Sequence, residues 1–206
     1  MVYGRWTIFY FDASKKDAML SHLTSQLDKM TNEVTGAVQG RLVQVAENRM
    51  VVHATYENKE AADAAAERAS GIRASMGEFV TEPPIIREGE LVWGVDPEGQ
   101  APGSPTPDAS YMTFRATDID SSKYDALIAY MDSKKEQFRG LSGLLRLRIG
   151  RIAENRIVAA AIYDSKASSD SAQENAAAVM AGGSELFTGN VVLLQGDLVW
   201  SGRPNS

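Results

Sequence analysis

Residues Ala46–Ala69 read AENRMVVHATYENKEAADAAAERA, and Ala153–Ala176 read AENRIVAAAIYDSKASSDSAQENA. Each stretch spells an apolar, β-prone run opened by Glu-Asn and followed by a polar break and an alanine-rich segment. A turn, a strand and a helix are therefore written twice. Outward from this pair, Gly36 matches Gly143, Arg41 matches Arg148, Tyr56 matches Tyr163, and Glu78 and Thr81 match Glu185 and Thr188. Gly89 matches Gly196, and Leu91-Val92-Trp93 matches Leu198-Val199-Trp200. Such matches are not low-complexity coincidences, so the halves are one fold repeated. Residues 96–108, rich in proline, have nothing to bury and read as a semi-extended linker between a repeat at 1–95 and a repeat at 109–206.

Within each half the elements follow in order. Trp6–Phe11 and Tyr111–Thr117 are β-prone runs. Ser14 with Asp17, and Ser122 with Asp125, suggest capping boxes that open a helix. Met19, Leu23, Leu27 and Met30 recur at helical spacing, as Leu127, Met131 and Phe138 do later. Ala37–Val45 and Arg49–Tyr56 form a hairpin around Glu47-Asn48, where asparagine suits the positive φ of a primed turn. A helix at Lys59–Met76 and a strand at Ile85–Trp93 complete the half. The order is β-α-β-β-α-β, the ferredoxin-like topology. The strand Met50–Tyr56 and its copy Ile157–Tyr163 are largely apolar on both alternating faces. Helices cover one face and the second calls for another sheet, which the other half supplies. The expected fold is α+β: two ferredoxin-like repeats whose antiparallel sheets pack as an intramolecular dimeric α+β barrel.

Composition narrows the function classes. The 206 residues carry a net charge of -6 and no basic cluster, which argues against nucleic-acid and anionic-membrane partners. An RNA-recognition module shares the element order but needs an exposed, basic, aromatic sheet. Without cysteine there are no disulfides, thiolate metal sites or thiol nucleophiles. No signal-peptide pattern or long apolar run is present, so the expected location is cytoplasmic. Two histidines in separate segments are too few for a protein metal site, and no glycine-rich phosphate loop or nucleophile elbow appears.

The chain resembles the dimeric α+β barrel superfamily, and within it the antibiotic biosynthesis monooxygenase-like proteins. The resemblance rests on Gly36 before the hairpin, on Arg49–Tyr56 with Glu57-Asn58-Lys59, and on Gly89-Glu90-Leu91-Val92-Trp93, each with its counterpart in the second half. It implies that a small-molecule pocket lies between a sheet and its own helices. It also implies a candidate activity, cofactor-independent oxygenation of a small aromatic compound, with no cofactor. Members of the superfamily also include haem-degrading enzymes, dehydratases, isomerases and proteins with no known reaction, and fold alone does not choose among them. The alternative is a non-catalytic binding or assembly barrel.

Candidate site residues follow from the hairpin register. A two-residue loop at Glu47-Asn48 pairs Leu42 with His53 and so places Leu42, Val51, His53 and Thr55 on one face. The second-half counterparts of that face are apolar, so it reads as helix-facing, and His53 becomes the candidate catalytic acid, base or ligand, with Trp6, Tyr10 and Thr55 as candidate ligand contacts. The competing reading is a satisfied core histidine, with Ala160 in its place in the second copy. Arg41 with Tyr56, and Arg148 with Tyr163 and Arg146, fall on the opposite face as anion ligands or as a structural polar cluster. Trp93 and Trp200 read as packing anchors. The fused pair already satisfies the dimer requirement, and further pairing into a homodimer stays open.

Overall fold

The structure is a computed structural model that describes residues 1–96, 106 and 108–204. The first repeat comprises β1 (Tyr3–Tyr10), α1 (Lys16–Glu33), β2 (Ala37–Ala46), β3 (Arg49–Tyr56), α2 (Lys59–Ser75) and β4 (Ile85–Val95). The second comprises β5 (Tyr111–Asp118), α3 (Tyr124–Ser133), α4 (Lys135–Arg139), β6 (Leu144–Ala153), β7 (Arg156–Tyr163), α5 (Lys166–Gly182) and β8 (Val192–Gly202). The strands hydrogen-bond in the order β1-β3-β2-β8-β5-β7-β6-β4 and close into a barrel. Most of the linker expected at 96–108 lies outside the described residues.

Two compact units partition the chain. The first is Met1–Glu90 with Leu198–Ser206, and the second is Leu91–Asp197. Each closing strand therefore ends in the unit that the other repeat begins. Trp200 belongs to the first unit, where its indole Nε1 donates to Asp28 Oδ1 of α1 at 2.9 Å. Trp93 belongs to the second, where Nε1 donates to Asp132 Oδ1 of α3 at 2.8 Å and the ring packs edge-on against Phe138. Both tryptophans are anchors with a satisfied N–H, as buried indoles require.

In the first unit, Phe9, Phe11, Leu42 and Met50 of the sheet pack against Met19, Leu23 and Leu27 of α1 and Ile72 of α2. Full burial of each such side chain contributes roughly 1.5–3 kcal/mol. Alanine at positions 62 and 65 is fully buried and lets α2 approach closely. The turn before β2 tightens onto the same helix: Gly36 has φ +79°, and a Cβ there would come within 2.7 Å of Ala61 Cβ. Only glycine fits, because it tolerates both the positive φ and the contact. Asn58 caps α2 by accepting from Ala61 N at 2.8 Å.

Two local expectations are corrected. Neither Ser14 nor Ser122 caps a helix: α1 and α3 start without a side-chain cap, and the capping carboxylates are those of Asp12 and Asp120, which accept from the serine N at 3.0 Å and open a short 3-10 turn before each helix. The carboxylate is the stronger acceptor and the two-residue reach favours it. The hairpin turn is not primed either, since no residue other than glycine has positive φ among the described residues. An unprimed turn mismatches the twist of the strands, and a bulge between Gln44 and Ala46 absorbs the difference. The second hairpin does the same between Arg151 and Ala153.

Candidate functional site in the first unit

That bulge decides which side chains meet the helices. Ala46 pairs with Arg49 as expected, but beyond the bulge Leu42 pairs with Val52 and Arg41 with His53. A one-residue slip moves every later side chain of a strand to the other face. His53 therefore lies on the face away from α1 and α2, sharing it with Arg41 and Trp6, its partners on either side. The expectation that His53 points into the sheet–helix space is corrected on this ground. Its ring stacks on Trp6 at 5.1 Å between centroids, and both residues are 3% exposed. Burial, with Arg41 adding repulsion, lowers its pKa to about 3, so the imidazole is neutral across the physiological range. Tyr10 is on the same face, and its hydroxyl accepts from Arg49 Nη1 at 3.3 Å.

The opposite face meets the helices and encloses a pocket of about 100 Å³. Odd-numbered residues of β1 supply Arg5, Thr7 and Phe9, in line with the two-residue period of a strand, and β3 supplies Val52, Ala54 and Tyr56. From α1 come Leu23, Leu27 and Met30, and from α2 Ala69, Ile72 and Arg73, at the three- and four-residue spacing of one helical face. Trp200 of β8 lies over Gly40, where a Cβ would meet its ring at 2.9 Å. Of the sequence-derived candidates, Thr55 is among the lining residues and His53, Trp6 and Tyr10 are not.

Most of the walls are apolar, and the charged groups among them are two arginines. Arg5 is 6% exposed; its Nε donates to Glu88 Oε2 at 2.8 Å, while its Nη1, also buried, has no hydrogen-bond partner among the described residues. Its guanidinium carbon lies 5.7 Å from the centre of the Tyr56 ring. Burial raises the Tyr56 hydroxyl above its ordinary pKa, with Arg5 partly opposing. Arg73 is held below its usual value first by burial and then by the positive charge of Arg5. Among the described residues the ionisable side chains lining the pocket are Arg5, Tyr56 and Arg73.

Arg41 and Tyr56, expected to share a face, are separated by the same register change. Arg41 donates to the Gln39 side-chain carbonyl, which also accepts from Arg203 Nη2 at 2.9 Å, while Tyr56 faces the helices. In the second unit Arg146 and Arg148 do share a face. Both bind Asp96: Arg146 Nε at 2.8 Å, and Arg148 Nη2 to the two carboxylate oxygens at 2.7 and 2.6 Å. This is the structural polar cluster.

The second unit has its own sheet–helix cavity, about 70 Å³, with a different lining. Leu147 stands where the first repeat has Gly40, and Met180 where it has Arg73. Its arginine, Arg115, sits two positions along the strand and donates to Thr113 Oγ1 at 3.2 Å. Among the described residues, the first unit's pocket is lined by two arginines and the second unit's by one. Arg5, Arg73 and Trp200 were not picked out as ligand contacts from sequence. A lone cation in the aromatic run of β1 and the Arg73-to-Met180 difference between repeats were the signals present.

No known family model and no curated protein matches the chain. Solved structures do match it. A Fusobacterium nucleatum protein provisionally named a monooxygenase superposes with a TM-score of 0.77 at 10% identity, over 98% of this chain and 94% of its own. An anthrone oxidase-like protein gives 0.70 at 14% identity, over 98% and 92%. An uncharacterised ferredoxin-fold protein of Listeria monocytogenes related to antibiotic biosynthesis monooxygenases gives 0.52 at 8% identity, over 96% of each. The chain has the dimeric α+β barrel fold. At such identities the likeness is one of fold, and it extends over both repeats. Among the described residues no helix is long and apolar enough to cross a membrane, and no cluster of three or more His, Asp or Glu side chains is placed to hold a metal ion.

Proposed function

We propose that the first-unit pocket is a binding site for a small aromatic molecule and that the protein is a cofactor-independent oxygenase of that molecule. The observation that carries the reading is a largely apolar sheet–helix pocket in which Arg5, Tyr56 and Arg73 stand near one another, the usual form of a small-molecule site. Oxygenation without an external reductant requires the substrate to give up its own electrons. For a ring carbon bearing CH₂, the overall change is CH₂ + O₂ → C=O + H₂O: two C–H bonds break, one oxygen atom enters the product, and the other leaves as water. The carbanion or enolate that reacts with oxygen is stabilised by fixed positive charge, which Arg5 and Arg73 supply. Similarity in fold to the anthrone oxidase-like protein supports the same class of chemistry.

One observation favours the second reading, a non-catalytic binding protein: no carboxylate or imidazole is among the described lining residues to take the substrate's proton. Under the oxygenase reading, the substrate is acidic enough to ionise beside the two guanidiniums. Oxygen uptake with a panel of phenols and hydroxynaphthalenes, corrected for auto-oxidation, separates the readings. Protein-dependent uptake that Arg73→Met reduces at least tenfold is expected. Binding without uptake across the panel assigns the pocket to the second reading.

A further inference from the structure

The charge carried by Arg5 and Arg73 constrains the ligand beyond its apolar body. Arg5 is more than nine-tenths buried, and its Nε donates to Glu88. Its Nη1 is buried and lacks a hydrogen-bond partner among the described residues, and Arg5 is one of the residues lining the pocket. An unsatisfied donor on a charged group costs more than one on a neutral group, so the site is built for an acceptor that is absent from the protein itself. Arg73 lines the same pocket and is close enough to Arg5 for the two charges to repel. Glu88 neutralises one of the two cations through Arg5, which leaves one positive charge unbalanced among these groups. Tyr56, neutral at physiological pH, adds a phenol beneath Arg5.

Resting on the reading of this pocket as the small-molecule site, we propose that its ligand is an aromatic monoanion whose oxyanion, a carboxylate or a phenolate, docks on Arg5 Nη1 and Arg73 while its ring lies against Phe9, Leu27 and Ile72. Guanidinium is suited to this role because its fork of donors matches an oxyanion and keeps its charge when buried. The second unit cannot take the same ligand: Met180 removes one cation, and Arg115 already donates to Thr113.

The test is calorimetric titration of the full chain at pH 8 with two matched pairs of probes, benzoate against benzamide and 4-nitrophenolate against 4-nitroanisole. The expected result is at least tenfold tighter binding of one or both anions over the neutral partner, and the stronger of the two identifies the oxyanion. Arg73→Met, which installs the residue of the second repeat, reduces that preference to threefold or less. If it does not, Arg5→Met is the second variant, and a preference that survives both substitutions overturns the proposal. Neutral probes that bind as tightly as the anions in the unmodified protein overturn the charged subsite and leave the pocket reading standing. No binding of any probe overturns both.

Discussion

Lowering the pH from 7.5 to 5.5 is expected to weaken the fold through His53. The side chain is 3% exposed, stacked on Trp6 and near the cation Arg41, and its pKa falls from 6.5 to about 3. The folded state keeps the imidazole neutral in this range, while the unfolded state takes up a proton below pH 6.5. The unfolded state binds more protons, so stability is fully present above 6.5 and is lost as pH falls toward 3. Between pH 7.5 and 5.5 the unfolded side chain goes from about 10% to about 90% protonated and the folded one hardly changes, which amounts to about 1.4 kcal/mol. Ordinary carboxylates titrate mainly below this window, so it isolates the histidine. Urea unfolding followed by tryptophan fluorescence at the two pH values, extrapolated linearly to water, measures the difference. His53→Gln, neutral throughout, is expected to remove most of it. Equal pH dependence in the two proteins would refute the claim that His53 is held neutral by burial.

Two further substitutions test particular contacts. Asp96→Asn leaves Arg146 and Arg148, both largely buried, without their carboxylate and is expected to cost about 3–5 kcal/mol in urea unfolding; a loss below about 1 kcal/mol would show that the pair is solvated. Gly40→Leu, the residue of the second repeat, drives a side chain into the Trp200 ring and is expected to cost about 1–3 kcal/mol, with a shift in tryptophan emission; unchanged stability and emission would show that Trp200 does not pack there.

Much of the fold was legible because local rules and the repeat agree. Gly36 and Gly143, the apolar periodicity of α1 and α2, and strands apolar on both faces each pointed to two ferredoxin-like halves and a closed sheet. The face on which His53 lies was not legible, because it depends on a bulge at Gln44/Ala46 that no residue type there announces. One extra residue in one strand reversed the assignment of His53 and Tyr56, and with it which arginine meets a pocket.

The sequence by itself determined the duplication, the element order and the pairing of each half's strands, since these follow from periodicity and from turn and cap chemistry within short windows. Tertiary structure alone decided that Arg5, Arg73 and Trp200 surround one apolar pocket. These residues come from β1, α2 and β8, and their meeting depends on strand register and on Leu198–Ser206 joining the unit begun by the first repeat. Such long-range packing is set by how side chains fill space once the sheet has closed, and short windows of sequence carry no record of it.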